Sequence, residues 1–144
     1  MNPFQSSYFE RLRDWKKLRD DTKDKSLEEI CENIDKWWQQ APLINHYLHP
    51  NDTQYWLNPW EILSENTYCL LTRAMGICYT MLLLNYDDIV LATATDDIGE
   101  EHFIVIVCSK YIMNYYPNTV ISNKLNNFTI KKKLSLEILK SKLK

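Results

Sequence analysis

The chain has 144 residues, 45% hydrophobic and 25% charged, which is enough for one globular domain with a core. Two glycines exclude a glycine-rich phosphate loop, and a net charge of −2 argues against binding nucleic acid or an anionic membrane. Four cysteines without a C-x-x-C pair indicate reduced thiols, and the polar N-terminus does not resemble a signal peptide. We expect no cofactor and no metal.

The first forty residues predict two helices. Apolar side chains recur at three- and four-residue spacing over residues 4–20, which is typical of an amphipathic helix. Ser26 and Glu29 form a capping-box pattern at the start of a second helix that ends near residue 40. We therefore predict a helical segment over residues 1–40 and an α+β unit over residues 41–144, together forming one compact domain.

A proline-rich segment with many aromatic residues follows the second helix. Within residues 41–60, so much aromatic surface on an irregular segment must pack against the chain's own core or against a partner. Asn58 and Pro59 then predict a short helix through Leu63. We predict that the N-terminal helix and the aromatic segment contact a protein partner. The predicted contact residues are Phe4, Tyr8, Trp15, Tyr47 and Trp56.

A buried helix and three strands are predicted for the rest of the chain. Asn66 or Thr67 should cap a helix that continues to about Leu84 and is apolar on almost every side. The hydrophobic period then changes to two, which predicts strands, and Ser135 should cap a short C-terminal helix. This order predicts an α+β fold in which the central helix packs on a small antiparallel sheet. The predicted strands are residues 88–95, 102–108 and 111–117.

Cys69, His102 and Asn114 occur in an order that is typical of papain-like or transglutaminase-like sites. Cys69 should lie in the first turn of the central helix, where backbone N–H groups stabilise a thiolate. A histidine within reach would act as base, and an amide or carboxylate would hold its tautomer. A two-residue turn at Ser109–Lys110 would direct Asn114 away from His102, whereas a three-residue loop would place both on one face. The sequence leaves both arrangements open.

The same residues also fit interpretations without catalysis. A cysteine on an apolar helix usually packs in the core, and a histidine at a strand edge is often solvated. His46, His49 and Asp52 offer three metal ligands, but on a proline-broken segment that fixes no geometry. The acidic pairs Asp96–Asp97 and Glu100–Glu101 are typical of solvated turns.

Several motifs resemble a family of small tailed-bacteriophage proteins. This resemblance implies a transglutaminase-like fold with Cys69 as nucleophile, His102 as base and Asn114 as the orienting group. In transglutaminases a glycine follows the cysteine, whereas Leu70 and Leu71 follow it here, which indicates that catalysis has been lost. The motifs are D-K-W-W-Q-Q-A-P at 35–42, W-L-N-P-W-E-I-L at 56–63, Y-C at 68–69, A-M-G-I-C-Y-T at 74–80 and Y-I-M-N-Y-Y at 111–116.

Two functions are therefore predicted. The leading one is a structural or assembly component of a phage virion, a catalytically degenerate scaffold that binds other virion proteins in a homo- or hetero-oligomer. The alternative is an active cysteine amidase, peptidase or acyl-transferase that uses Cys69 and His102.

Overall fold

The structure, a computed structural model, describes residues 2–44, 48–116, 119–123 and 127–144. Within them it has the predicted α+β architecture, with five α-helices and a five-stranded antiparallel sheet. None of the described helices is long and apolar enough to cross a membrane. The helices are α1 (Tyr8–Thr22), α2 (Leu27–Trp38), α3 (Pro59–Glu65), α4 (Leu70–Leu83) and α5 (Leu136–Lys142). The strands are β1 (Ile89–Asp96), β2 (Glu101–Val107), β3 (Tyr111–Tyr116), β4 (Thr119–Ser122) and β5 (Phe128–Lys133).

The strands of the sheet lie in the order β4-β3-β2-β1-β5. The three predicted strands, β1, β2 and β3, form the centre of the sheet. Leu91, Val105 and Met113 belong to the same buried cluster as the helices, so this face of the sheet carries the main core. The two edge strands were not predicted from the sequence. β5 reads Phe-Thr-Ile-Lys-Lys-Lys and is mostly exposed, so it lacks the apolar alternation of a buried strand, while its lysines suit an edge.

Thr80 joins three helices through a buried hydroxyl group. The indole N–H groups of Trp15 in α1 and Trp38 in α2 donate to Thr80 Oγ1 at 2.9 and 3.0 Å. Thr80 Oγ1 in turn donates to the carbonyl of Gly76 at 2.7 Å. Two buried tryptophans are thereby held at defined positions against α4.

Most of the predicted partner-contact residues are core residues, which corrects the expectation of an exposed aromatic surface. Phe4, Trp15 and Trp56 are buried in the main hydrophobic cluster. Phe4 lies within a short 3-10 turn, Pro3–Gln5, and packs against other aromatic rings, while Tyr8 is half-buried against the same cluster. The aromatic rings of Phe4, Trp15 and Trp56 therefore serve internal packing. Tyr47 lies outside the described residues.

Replacing Gly76 by alanine is expected to destabilise the fold by about 2 kcal/mol. A Cβ at this position would lie 2.6 Å from the Trp38 ring, which is fully buried and held by Thr80. This overpacking outweighs the gain of about 1 kcal/mol that alanine brings to a helix. Urea unfolding measures the change. In a Trp38→Leu background the same substitution should cost less, and equal costs in both backgrounds would contradict the predicted clash.

Candidate active site

Cys69 occupies the N-cap position of α4, where its carbonyl accepts the first intrahelical bond from the Arg73 N–H at 3.0 Å. The prediction that Asn66 or Thr67 caps this helix is wrong, because Asn66 adopts a left-handed conformation (φ 54°) and ends α3 instead. The Cys69 side chain is only 4% exposed, and its Sγ lies 3.1 Å from Thr72 Oγ1. The thiol therefore belongs to the residue at the N-terminus of α4, where the positive end of the helix dipole favours a negative charge.

The other three cysteines lie in surroundings that disfavour a thiolate. Burial raises the pKa of the Cys31 thiol to about 12. Burial also raises the pKa of Cys78, which lies inside α4, and that of Cys108, which lies in the β2–β3 loop. Cys69 is therefore the one cysteine at a helix N-terminus, and the nucleophile candidate that the structure favours.

His102 is held by a carboxylate, but the partner is Asp96 and not the predicted Asn114. His102 Nε2 lies 2.9 Å from Asp96 Oδ2, and the ring packs edge-on against Tyr115. The other Asp96 oxygen accepts the backbone N–H groups of Ile98 and Glu100 at 3.0 and 2.9 Å. The hydrogen bond to His102 holds the pKa of the Asp96 carboxyl below its usual value. The turn therefore presents an ionised carboxylate to the imidazole.

The pairing of β1 with β2 places Asp96 beside His102. In the β1–β2 pairing Ala94 lies opposite His102, which makes Asp96 the diagonal neighbour of the histidine on the same face. The expectation of a solvated turn carboxylate is therefore wrong for Asp96, which is bonded to His102. Asp96 ends β1 two residues after Ala94, the partner of His102 on β2. A carboxylate at that position of a hairpin can reach the histidine.

Asn114 lies in a left-handed conformation (φ 64°) inside β3. The β2–β3 loop has three residues, since Val107 pairs with Tyr111, and a regular strand would then place Asn114 on the face of His102. The left-handed residue breaks that alternation. Its side-chain amide donates to the carbonyl of Phe103 at 2.8 Å and lies 3.5 Å from the carbonyl of Leu70, the residue that follows Cys69. Asn114 therefore bridges β2 and the start of α4.

Behind Asn114 lies a buried polar network that the sequence did not reveal. Asp35 Oδ1 accepts the backbone N–H of Asn114 at 2.9 Å, and Gln39 Nε2 donates to Asn114 Oδ1 at 3.2 Å. The Arg73 guanidinium donates to Gln39 Oε1 and to the carbonyl of Ala41. Burial raises the pKa of the Asp35 carboxyl to about 6. These contacts hold α2, α4 and β3 together and stabilise the unusual backbone of Asn114.

His102 and Asn114 line the same open cleft, which has a volume of about 590 Å³. Leu70 and Arg73, from the first turn of α4, line it as well. Cys69 is buried and is not among the described residues that line the cleft. The structure thus brings His102, Asp96 and Asn114 around one cleft, and Leu70, the residue after the buried Cys69, also lines it.

Within the described part of the chain, Asp96, Glu100 and His102 form the one group whose side chains have metal-binding spacing. Their ligand atoms lie within 4.8 Å of one another. Calcium is bound by oxygen ligands, so the imidazole nitrogen, which is already bonded to Asp96, does not suit this ion.

Comparisons with known proteins identify the fold. No protein-family model and no curated protein matches the chain. Structures of LapG from Legionella pneumophila do match, each at 13% sequence identity. The calcium-bound structure gives a TM-score of 0.74 over 92% of this chain and 78% of LapG, and the EGTA-treated structure gives 0.72 over 90% and 74%.

The chain has the transglutaminase-like fold of LapG. LapG is a bacterial cysteine protease. The fold that the motif resemblance implied is thereby confirmed, whereas nothing in the comparisons indicates a phage protein family. At this level of identity the likeness shows the fold alone, so the roles of Cys69, His102 and Asn114 stay predictions.

Proposed function

We propose that the protein is a cysteine peptidase or amidase in which Cys69 is the nucleophile, His102 the base and Asp96 the orienting group. The observation that carries the proposal is the hydrogen bond between His102 Nε2 and Asp96 Oδ2, at 2.9 Å, in the cleft beside the N-terminus of α4. The transglutaminase-like fold supports it, because LapG, which shares that fold, is a cysteine protease.

The partner of each ring nitrogen determines the tautomer of His102. An ionised carboxylate only accepts hydrogen bonds, so Nε2 carries a proton that it donates to Asp96. In the neutral ring Nδ1 is then unprotonated and acts as the basic atom. The Asp96 carboxylate also stabilises the imidazolium that forms when Nδ1 accepts a proton.

The proposed reaction passes through a thioester. His102 Nδ1 takes the proton of the Cys69 thiol, and the thiolate sulfur bonds to the carbonyl carbon of an amide. The carbon–nitrogen bond then breaks, and the amine leaves with the proton from His102. Water attacks the thioester, and Cys69 recovers its proton when the acid is released. An amine in place of water would make the same site an acyl-transferase.

Three of the five residues predicted to contact virion partners, Phe4, Trp15 and Trp56, are buried in the core. Binding to other virion proteins, a place in a phage particle and the oligomeric state stay predictions from the sequence alone. No observation on the described residues favours them over the cysteine chemistry.

The decisive experiment is iodoacetamide labelling of the folded protein at several pH values, read by mass spectrometry. Cys69 should be labelled below pH 7, while Cys31 and Cys78 should react only after unfolding, because burial raises the pKa of both thiols. His102→Ala should slow the labelling of Cys69 by about tenfold.

The matched control is Cys108→Ala, which removes a half-buried thiol of the β2–β3 loop and should leave Cys69 labelling unchanged. Protection of Cys69 until the protein unfolds, at the same rate as Cys31, would contradict the proposed function.

A further inference from the structure

The cleft is bordered by large apolar side chains that are open to solvent. Leu43, Leu70 and Tyr116 are 42–43% exposed, and Ile98 is 78% exposed. They come from the segment after α2, from α4, from the end of β3 and from the β1–β2 turn, so they surround the cleft. Large exposed apolar side chains around one concavity mark a binding surface more often than a bare protein surface.

The charges on the cleft wall are mainly negative. Asp97 and Glu100 are exposed, and among the described residues no lysine or arginine lies within ion-pair distance of either. Glu101 also lines the cleft, but it lines a second pocket as well, together with the positively charged Lys132. Asp97 and Glu100 are therefore the carboxylates most available to a ligand.

The one cation among the described lining residues does not balance this charge. Arg73 is buried, and its guanidinium donates to Gln39 and to the carbonyl of Ala41. Both carboxylate oxygens of Asp96, in contrast, are already hydrogen-bonded, one to His102 and the other to backbone N–H groups of the turn. A ligand in the cleft therefore meets apolar walls and an unpaired negative edge close to the His102–Asp96 pair.

We propose that this cleft binds a polypeptide segment in which lysine or arginine stands next to a bulky apolar residue. The inference rests on the proposed function and names its substrate class. Charge complementarity selects the basic residue through Asp97 and Glu100, and the apolar rim selects a large side chain such as leucine. An acidic segment would place like charges together, and a segment of alanines would leave the rim uncovered.

The test uses fluorescence anisotropy with the Cys69→Ala variant, so that binding is measured without turnover. Three fluorescein-labelled peptides of equal length carry Leu-Lys-Leu-Arg, Leu-Glu-Leu-Glu or Ala-Lys-Ala-Arg at their centres. The first should bind about tenfold more tightly than the others and weaken as salt rises from about 50 to about 300 mM.

Charge reversal provides the matched comparison. Asp97→Lys/Glu100→Lys, in the Cys69→Ala background, should abolish or reverse the preference for the basic peptide. Asp24→Lys/Glu28→Lys makes the same change in net charge on exposed residues outside the cleft lining and should leave the preference intact. Equal affinity for basic and acidic peptides, or a preference that survives reversal at the cleft, would overturn the inference.

The two proposals fail in different ways. Selective binding of the basic apolar peptide by Cys69→Ala, without cleavage of it by the wild-type protein, would support the inference and count against the peptidase. Cleavage by the wild-type protein at equal rates for basic and acidic peptides would support the peptidase and overturn the inference.

Discussion

Replacing Asp96 by asparagine is expected to lower kcat/KM for peptide hydrolysis by about 10² to 10⁴ without unfolding the protein. The introduced side chain would retain the oxygen that accepts the Ile98 and Glu100 N–H groups, so the turn should persist. Its amide nitrogen would then face His102 Nε2, which could no longer donate. The ring would shift its proton to Nδ1, which removes the base that the reaction needs.

The matched control is Asp24→Asn, which alters an exposed carboxylate outside the cleft lining. The substitution removes the same charge from an exposed position that does not line the cleft, so the rate should change by less than about twofold. The measurement is kcat/KM against a basic apolar peptide, with circular dichroism to confirm the fold. A rate within twofold of the wild type for Asp96→Asn would contradict the prediction, as would a larger loss in Asn114→Ala, which would make Asn114 the orienting group.

The sequence predicted the fold wherever local periodicity carried the information. The apolar run through α4 and the alternation in β1, β2 and β3 are properties of single segments, and each gave an element close to its observed bounds. The order of cysteine and histidine likewise placed Cys69 at the N-terminus of α4 and His102 on the next strand but one. These features need no knowledge of distant contacts.

The rest of the site depends on contacts between distant segments. Asn114 departs from strand alternation because its left-handed backbone is held by Asp35, a residue 79 positions earlier in the chain. Strand parity assumes a regular strand and therefore fails at this residue. The burial of Phe4 and Trp15 also depends on tertiary packing, so their aromatic character alone could not distinguish a core from a contact surface.

Replacing Asp35 by asparagine is expected to change how stability depends on pH. Asp35 is fully buried, and its Oδ2 has no hydrogen-bond partner among the described residues, which is why burial raises its carboxyl pKa to about 6. A carboxyl with an unfolded pKa near 3.9 is already ionised at pH 5, whereas the folded protein still holds the proton. The folded state therefore loses stability as pH rises from about 4 to about 6.

The size of this effect follows from the shift in pKa. A difference of about two pKa units between the folded and unfolded states corresponds to a loss of at most about 3 kcal/mol of stability. This loss reaches its full size above pH 6. The nearby Arg73 guanidinium offsets part of it, because its charge favours the ionised carboxylate. An asparagine side chain at position 35 has no such titration and can still accept the Asn114 N–H through its own oxygen. The stability of the variant relative to the wild type should therefore rise with pH.

Urea unfolding at pH 4, 5, 6 and 7 measures this difference. The free energy of unfolding of Asp35→Asn minus that of the wild type should increase by about 2 kcal/mol across the series and level off above pH 6. Asp24→Asn, which alters an exposed carboxylate, should give a flat difference. A difference that does not change with pH for Asp35→Asn would mean that the Asp35 carboxyl has the same pKa in the folded and unfolded states. A difference that falls with pH would mean that the surrounding network stabilises the ionised carboxylate. The expected slope instead implies that desolvation of the buried carboxylate outweighs the Asn114 and Gln39 hydrogen bonds and the Arg73 charge, each of which by itself favours the ionised form.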